Sequence, residues 1–284
     1  MIVKTIFEFK KKKEFLFLTD SDGCVMDTMT IKHEKCFGPC MIKEWELSLW
    51  EAEILNIWNK INLYGITRGI NRFKGLALTL SEVNYKFRKI EGVSSLLSWV
   101  DGAKELSNDA LKSVINENPE EEIFKKALSW SISTNKAIEN ISLSEKLPFP
   151  CAKKALEFAR GQADVAVISS ANLDALHDEW QRHGLFPLVD AIASQSDGSK
   201  AGCIERLVTK GYDRSKVVMC GDSVGDYEAA KNNGVFFYPI LACHENESWQ
   251  EFISDGFDRL TSGSFKEYGE EKMRQFYKNL NNNH

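Results

Sequence analysis

The sequence predicts an α/β protein: a Rossmann-like parallel sheet core with an inserted α-helical cap domain. Two observations carry this prediction. Short apolar runs alternate with helix-period segments through the second half of the chain, a pattern typical of a parallel sheet with right-handed crossovers. After the first apolar run, more than a hundred residues show few strand signals and several long helical patterns, so a helical segment interrupts the sheet.

The predicted strands are apolar runs, and those near residues 165 and 217 are rich in β-branched residues, as in strands covered on both faces. They cover residues 15–19, 165–169, 191–194, 217–220 and 235–239. Helices are predicted over 173–183, over 200–210, after Asp222 as far as Gly234, and over 266–280. A glycine follows several of these segments, which is a common helix stop.

The helical insert is predicted to have an apolar core of its own, because five of the seven tryptophans lie within it. Pro148 and Pro150 mark the return of the chain to the sheet. The predicted domains are therefore an α/β core over 1–27 and 146–284 and a helical cap over 28–145.

Composition excludes several classes of partner. The 36 basic residues are outnumbered by 41 acidic ones, and a net charge of -5 offers no general attraction to nucleic acid or to anionic membrane. The run Lys10–Lys13 is predicted to be a solvated turn between two short strands. No apolar stretch reaches the length of a membrane span.

Seven scattered cysteines fit a reducing compartment, so a cytoplasmic location is expected. The sequence predicts no oligomeric state.

Polar side chains follow the predicted strands, where ligands of open parallel sheets bind. They are Asp20 and Asp22 after the first strand, Ser169 after the second, Lys200 beyond the third, and Asp222 and Asp226 after the fourth. Two carboxylates 4 Å apart repel by about 4 kcal/mol at an effective dielectric of 20. A divalent cation would reverse that sign, and oxygen ligands favour Mg²⁺.

Four segments of this chain, "DSDGCVMD", "VISSAN", "GSK" and "GDSVGD", resemble in order and spacing the motifs of the haloacid dehalogenase-like superfamily of phosphohydrolases. The insert resembles the helical cap of the subfamily that includes phosphoglycolate phosphatases and β-phosphoglucomutases. The resemblance implies a Mg²⁺-dependent phosphatase that hydrolyses a small phosphorylated metabolite through an aspartyl-phosphate intermediate.

The resemblance also implies a role for each motif residue. Asp20 would be the nucleophile, and Asp22 the general acid and then the general base. Ser169 and Lys200 would bind phosphoryl oxygens. The Mg²⁺ ligands would be Asp20, the backbone carbonyl of Asp22, Asp222, and Asp226 either directly or through water.

Some alternatives stay open at this stage. Ser170 competes with Ser169 for the phosphate-binding role, and Cys24 stands where the family usually has threonine. Asp226 also completes a capping-box pattern with Ser223, and Asn172 is predicted to be a helix N-cap. A phosphomutase of the β-phosphoglucomutase type, or a non-catalytic binding protein with the same fold, remains the alternative function.

Within the predicted cap, the segment "YGITRGINRFKGL" combines three glycines with a cluster of cations. Gly65, Gly69 and Gly75 are predicted to interrupt helical runs and to form a flexible loop. Arg68 and Arg72 are predicted to contact the non-transferred part of the substrate, with Arg68 preferred, because the arginine fork pairs with anions. The alternative is a solvated connection between two helices.

Overall fold

A computed structural model describes residues 4–281, and within this range six parallel strands form one sheet. The strand order is β1-β4-β3-β2-β5-β6, which places β2 between β3 and β5. The strands are β1 (Lys4–Thr5), β2 (Phe15–Thr19), β3 (Ala163–Ile168), β4 (Ala191–Ala193), β5 (Val217–Gly221) and β6 (Phe236–Pro239). The five predicted strands are confirmed to within two residues at each end, and the short β1 is added at the edge.

The sheet is buried on both faces, and the side chains of its strands alternate between two apolar clusters. In β2, Phe17 packs into one cluster, whereas Leu16 and Leu18 pack into the other. In β5, Val218 and Met219 divide between the two faces in the same way. A sheet covered on both sides is expected for an all-parallel arrangement, because its crossovers place helices on both faces.

The four helices predicted in the α/β unit are present, and the described residues add three that were not predicted, over Pro150–Gln162, Glu245–Glu251 and Phe257–Ser262. The helices of this unit are α8 (Pro150–Gln162), α9 (Leu173–Arg182), α10 (Lys200–Val208), α11 (Val224–Asn232), α12 (Glu245–Glu251), α13 (Phe257–Ser262) and α14 (Phe265–Asn281). The asparagine predicted as an N-cap is confirmed, since Asn172 Oδ1 accepts from the N–H of Asp174 at 2.8 Å. Within the described part of the chain, no helix is long and apolar enough to cross a membrane.

The insert is entirely helical and has its own core, as predicted. Its helices are α1 (Met29–Lys32), α2 (Gly38–Glu44), α3 (Glu51–Asn59), α4 (Arg72–Lys86), α5 (Val93–Gly102), α6 (Asn108–Glu117) and α7 (Glu122–Glu139), with π-helical turns over His33–Phe37 and Lys60–Tyr64. Trp58 and Trp130 are fully buried at its centre. Contacts divide the chain into Thr30–Ser142, termed here the helical unit, and an α/β unit of residues 4–29 and Leu143–Asn281.

The lysine-rich turn lies between β1 and β2, as predicted, but it is not merely solvated. The backbone N–H groups of Lys12 and Lys13 each donate to Asp164 Oδ2 at 2.8 Å. Asp164 is fully buried in β3, and Tyr212 also donates its hydroxyl to the same oxygen at 2.5 Å. A buried carboxylate must be paired or hydrogen-bonded, so this turn is anchored to the end of the sheet where β3 begins.

Candidate active site

The register of the sheet brings three of the predicted motifs to one edge. Thr19, the last residue of β2, pairs with Val167 on one side and with Cys220 on the other. Asp20 therefore lies level with the last residue of β3 and the last residue of β5, and its N–H donates to the Cys220 carbonyl at 3.0 Å. Ser169 and Asp222 follow one residue later on the two neighbouring strands.

The chain turns sharply after Asp20. The carbonyl of Ser21 accepts from the N–H groups of Cys24, Val25 and Met26 at 3.3, 2.9 and 2.8 Å. Gly23 has a φ of 76°, a left-handed conformation that glycine adopts without steric cost. Gly23 therefore allows the chain to turn directly after the first motif's carboxylates.

Asp22 is oriented by a neighbour on the same turn. The hydroxyl of Thr28 donates to Asp22 Oδ1 at 2.5 Å. Asp22 is half-buried, whereas Asp20 is only 7% exposed. The two carboxylates of the first motif therefore lie in different environments, which is the usual condition for two acids with different roles.

Three of the four predicted acidic residues form one cluster. Carboxylate oxygens of Asp20, Asp222 and Asp226 lie within 4.8 Å of one another, and all three residues are buried. Lys200, the first residue of α10, places its ammonium 2.9 Å from Asp20 Oδ2 and 2.5 Å from Asp226 Oδ1. The side chain of Asp22 is not part of this cluster, in keeping with a role as acid rather than as a carboxylate ligand.

The charges of the cluster do not balance. Burial raises the pKa of Asp20 to about 8, with a further contribution from Asp226 and Asp222, although Lys200 opposes the shift. Burial alone would lower the pKa of Lys200, but the carboxylates of Asp20 and Asp226 outweigh it and raise that pKa above its ordinary value. With all three carboxylates ionised, one ammonium leaves the cluster two positive charges short of neutrality, which a divalent cation would supply.

Asp226 forms the capping box that its sequence context predicted, and it also belongs to the acidic cluster. Its Oδ2 accepts from the N–H and the hydroxyl of Ser223 at 3.1 and 2.7 Å, which forms a capping box at the start of α11. Its Oδ1 faces Lys200 within the cluster. Gly221 makes this placement possible, because a Cβ atom on it would lie 2.4 Å from the Cβ of Asp226.

The structure separates the two serines that compete for the second motif. Ser169 is 4% exposed and its N–H donates to the Ala193 carbonyl at 3.0 Å, so it directly continues β3. Ser170 is exposed. The hydroxyl of Ser169 accepts from the N–H of Ala171 at 3.1 Å and keeps its proton available for a ligand oxygen.

Sequence reasoning missed the residues that support the first motif. Trp180 of α9 donates its indole N–H to the hydroxyl of Ser21 at 2.9 Å, and Trp249 of α12 donates to the Cys24 carbonyl at 2.9 Å. Cys24 is fully buried, with its sulfur 3.5 Å from the Thr19 hydroxyl. No local pattern could identify these partners, because tryptophans on an apolar helix face carry no signal of what their N–H groups contact.

The glycine-rich segment of the helical unit differs from its prediction at one position. Gly75 does not interrupt a helix but lies inside α4, where a Cβ would approach Asn62 Oδ1 to 2.0 Å. Gly69, with a φ of 71°, does lie in a turn. Arg68 is 3% exposed and donates to the Leu63 carbonyl at 2.7 Å, so it supports this turn.

A parallel sheet with an acidic cluster and one lysine at the carboxyl ends of its central strands places the protein among the open parallel-sheet α/β proteins, in which ligands bind at that edge. The family model described as haloacid dehalogenase-like hydrolase matches residues 90–240, just over half of the 284 residues. The chain belongs to this family. The match contains Ser169, Lys200, Asp222 and Asp226, and the pairing of β2 with β3 and β5 places Asp20 in the same sheet.

Solved structures share the fold at low sequence identity. A haloacid dehalogenase-like family hydrolase from Streptococcus pneumoniae is 14% identical, with a TM-score of 0.51 over 83% of this chain and 90% of that one. A haloacid dehalogenase-like family hydrolase from Xanthomonas campestris is 12% identical, with a TM-score of 0.50 over 94% of this chain and 100% of that one. No curated protein matches the sequence. At these identities the similarity shows the fold alone.

Proposed function

We propose that this protein is a Mg²⁺-dependent phosphatase that hydrolyses a small phosphorylated metabolite through an aspartyl-phosphate intermediate. The observation that carries the proposal is the buried cluster of Asp20, Asp222 and Asp226 with Lys200 at the carboxyl ends of β2 and β5. Burying three carboxylates together is unfavourable for folding, so their retention at this edge is best explained by a function.

Asp20 is the proposed nucleophile. One of its oxygens attacks the phosphorus of the substrate, the bond from phosphorus to the ester oxygen breaks, and the phosphoryl group is carried by the carboxylate. The ammonium of Lys200, 2.9 Å from Asp20 Oδ2, is placed to neutralise charge on the phosphoryl oxygens as it develops. The Ser169 hydroxyl at the end of the neighbouring strand would donate to another of these oxygens.

Asp22 is the proposed general acid and base. In its protonated form it donates a proton to the leaving ester oxygen, and as a carboxylate it takes a proton from the water that attacks the aspartyl phosphate. The hydrogen bond from Thr28 to Oδ1 orients its carboxyl group for this exchange.

The residues present fit a bound Mg²⁺. An all-oxygen set is the chemistry that this ion prefers, and the cluster lacks two positive charges when its three carboxylates are ionised. Asp20, Asp222 and the backbone carbonyl of Asp22 would hold the ion, with Asp226 direct or through water. A bound Mg²⁺ would supply positive charge beside the transferred phosphoryl group and would favour the ionised form of Asp20.

Hydrolysis of p-nitrophenyl phosphate, with and without Mg²⁺, tests the proposal most simply. We expect turnover that EDTA abolishes and that added Mg²⁺ restores. Asp20→Asn should abolish turnover while the protein stays folded, because the amide cannot accept the phosphoryl group. Asp174→Asn, which changes an exposed acid on α9, is the matched control and should retain activity. Full activity in the Asp20 variant would remove this residue from the nucleophilic role.

A panel of phosphorylated metabolites, ranked by kcat/KM, would then identify the substrate. A phosphomutase would return the phosphoryl group to a sugar rather than to water, so release of inorganic phosphate separates the two activities. Failure of p-nitrophenyl phosphate and of the whole panel with Mg²⁺ present would indicate a binding protein that retains the fold.

A further inference from the structure

The turn that follows the proposed nucleophile is held at both ends by tryptophans. It comprises residues 21–24, termed here the first-motif turn, and the N–H of Cys24 closes it by donating to the Ser21 carbonyl at 3.3 Å. Trp180 of α9 donates its indole N–H to the hydroxyl of Ser21, the first residue of the turn, at 2.9 Å. Trp249 of α12 donates to the carbonyl of Cys24, the last residue, also at 2.9 Å. Two helices of the α/β unit therefore hold the two ends of one turn.

The tryptophan content of the α/β unit makes this arrangement unusual. Five of the seven tryptophans of the chain lie in the helical unit, so Trp180 and Trp249 are the only two in the described residues of the α/β unit. Both are fully buried. A buried indole N–H needs an acceptor, but any carbonyl or hydroxyl of the core could provide one. Both indoles instead donate to the same four residues, directly after Asp20, which links their placement to the turn.

The bond between Trp180 and Ser21 is not needed to fill the core. Ser21 is 1% exposed, and a buried hydroxyl is unfavourable unless it is hydrogen-bonded. Replacement of both partners by apolar residues of similar shape leaves no polar group unpaired and can be nearly neutral for stability. The fold could therefore omit this pair of polar groups. The pair lies at the residue between Asp20 and Asp22, which suggests a role in catalysis.

Further contacts join the first-motif turn to the backbone of Asp20. The Asp20 N–H donates to the Cys220 carbonyl at 3.0 Å, and the Thr19 hydroxyl donates to the Asp20 carbonyl at 2.9 Å. The sulfur of Cys24 lies 3.5 Å from the same hydroxyl, so the end of the turn packs against the strand residue before Asp20. The sheet thus fixes the backbone of Asp20, and the turn fixes the direction in which the chain leaves it.

We propose that Trp180 and Trp249 are positioning residues, whose indole N–H groups fix the first-motif turn and thereby the orientation of the Asp20 and Asp22 carboxyl groups. The inference rests on the proposed phosphatase function, in which Asp20 attacks phosphorus and Asp22 transfers protons. Both indoles are fully buried, so they act through the turn and not on the substrate. A displacement of reacting groups by about 1 Å can slow a reaction by about 100-fold, and the two hydrogen bonds oppose such a displacement.

A double-mutant cycle tests the bond between Trp180 and Ser21. Trp180→Phe removes the indole N–H and keeps an aromatic ring, and Ser21→Ala removes the acceptor. We expect each change to lower kcat for p-nitrophenyl phosphate by ~10- to 100-fold, while KM changes less than twofold. The double variant should be no slower than Trp180→Phe alone, because both changes break the same hydrogen bond. Trp249→Phe should lower kcat in the same way.

Trp130→Phe is the matched control for the loss of a buried indole hydrogen bond. Trp130 is fully buried in the helical unit and donates to the Phe37 carbonyl at 3.0 Å. Its replacement should lower the melting temperature, but kcat for p-nitrophenyl phosphate should change less than twofold. A folded Trp180→Phe protein as active as Trp130→Phe, or fully additive losses of kcat in the double variant, would overturn the proposal. If Trp180→Phe does not fold, Ser21→Ala decides, since it keeps the whole tryptophan in the core.

Binding measured without turnover separates this inference from the proposed function. Beryllium trifluoride bonds to a carboxylate oxygen in place of a phosphoryl group, and ¹⁹F NMR detects the adduct. With Mg²⁺ present, we expect an adduct on the wild-type protein that Asp20→Asn abolishes. Binding to Trp180→Phe and to Ser21→Ala should be weaker by ~10-fold or more.

The two possible failures of this experiment differ. A wild-type protein that hydrolyses no ester and forms no adduct would overturn the proposed function, and this inference with it. A wild-type protein that forms the adduct, with equal affinity in Trp180→Phe and Ser21→Ala, would overturn the positioning role alone.

Discussion

The ammonium of Lys200 lies 2.5 Å from Oδ1 of Asp226, and this ion pair joins the first turns of α10 and α11. The second oxygen of Asp226 is held by the capping box of its own helix. Asp226 thus fixes the position of Lys200, and Lys200 in turn reaches Asp20 at 2.9 Å. A single aspartate in the first turn of α11 therefore orients the cation that faces the proposed nucleophile.

Replacement of Gly221 should disrupt this arrangement. A methyl group at position 221 would collide with the side chain of Asp226, so Gly221→Ala must displace either the aspartate or the end of β5. We expect a loss of stability of ~1–3 kcal/mol, as for other overpacked sites, together with a strong loss of phosphatase activity. Urea unfolding and steady-state kinetics measure the two effects.

Gly225, four residues along the chain, is the matched control for stability. A Cβ there would have ordinary contact, 3.5 Å from the Ser223 hydroxyl, and the residue lies in α11. Gly225→Ala should therefore stabilise the protein by ~0.5–1 kcal/mol through helix propensity. A Gly221→Ala protein as stable as Gly225→Ala would contradict the close approach of Gly221 and Asp226.

Asp22→Ala should slow the chemical step by ~10²–10⁴-fold, the typical contribution of a general acid or base. The loss should be smaller for aryl phosphates than for alkyl phosphates, because a good leaving group needs little protonation. Single-turnover rates with one ester of each kind provide the measurement. Equal losses on both esters would argue against the acid role.

Thr28→Val should slow the chemical step in the same way as Asp22→Ala, but by a smaller factor. The substitution keeps the shape of the side chain but removes the hydroxyl that donates to Asp22 Oδ1. We expect kcat to fall while KM for p-nitrophenyl phosphate stays close to the wild-type value. A fall for aryl esters as large as for alkyl esters would show that Thr28 acts on something other than the acid.

Mg²⁺ should stabilise the folded protein, because it relieves the repulsion among buried carboxylates. An ion present at about 100 times its Kd contributes about 2.7 kcal/mol to the free energy of unfolding, which corresponds to a rise of several degrees in Tm. Asp222→Asn should remove most of this rise. Asp258→Asn, an exposed acid on α13, should retain it. Thermal melts with EDTA and with Mg²⁺ measure this rise in Tm. A rise in the Asp222→Asn variant equal to that of the wild type would exclude Asp222 as a ligand.

Tyr212→Phe should lower stability without changing catalysis. The hydroxyl of Tyr212 donates to the buried carboxylate of Asp164, and both burial and this carboxylate raise the pKa of the tyrosine. Removal of a hydrogen bond to a charged group costs about 1.5–3 kcal/mol, so the urea midpoint should fall.

Tyr85→Phe, at a position that is 85% exposed, is the control and should change the free energy of unfolding by less than about 0.5 kcal/mol. In both variants kcat for p-nitrophenyl phosphate should match the wild type, since Asp164 lies in β3 at the opposite end from Ser169. A change in kcat without a change in stability would contradict this assignment.

The order of the strands in the chain, and the edge at which the acidic residues gather, follow from the sequence alone. Apolar runs and helix stops are local signals. In a parallel sheet, the residues that directly follow the strands all lie at the same edge. Asp20, Asp222 and Asp226 could therefore be placed together without any knowledge of their contacts. The insert could be recognised in the same way, because its tryptophans and helical patterns are confined to one segment.

Only the tertiary structure decided how individual side chains are paired. Lys200 donates to Asp226, and Tyr212 donates to Asp164. The partners lie in segments that are far apart in sequence, so no local pattern predicts either contact. The contacts of Arg72 could not be predicted from a local pattern either, and sequence reasoning ranked this residue below Arg68 as a contact to the substrate. Whether an arginine is neutralised depends on which residues the fold packs beside it, and the neutral partners of Arg72 come from a helix about sixty residues away in the chain.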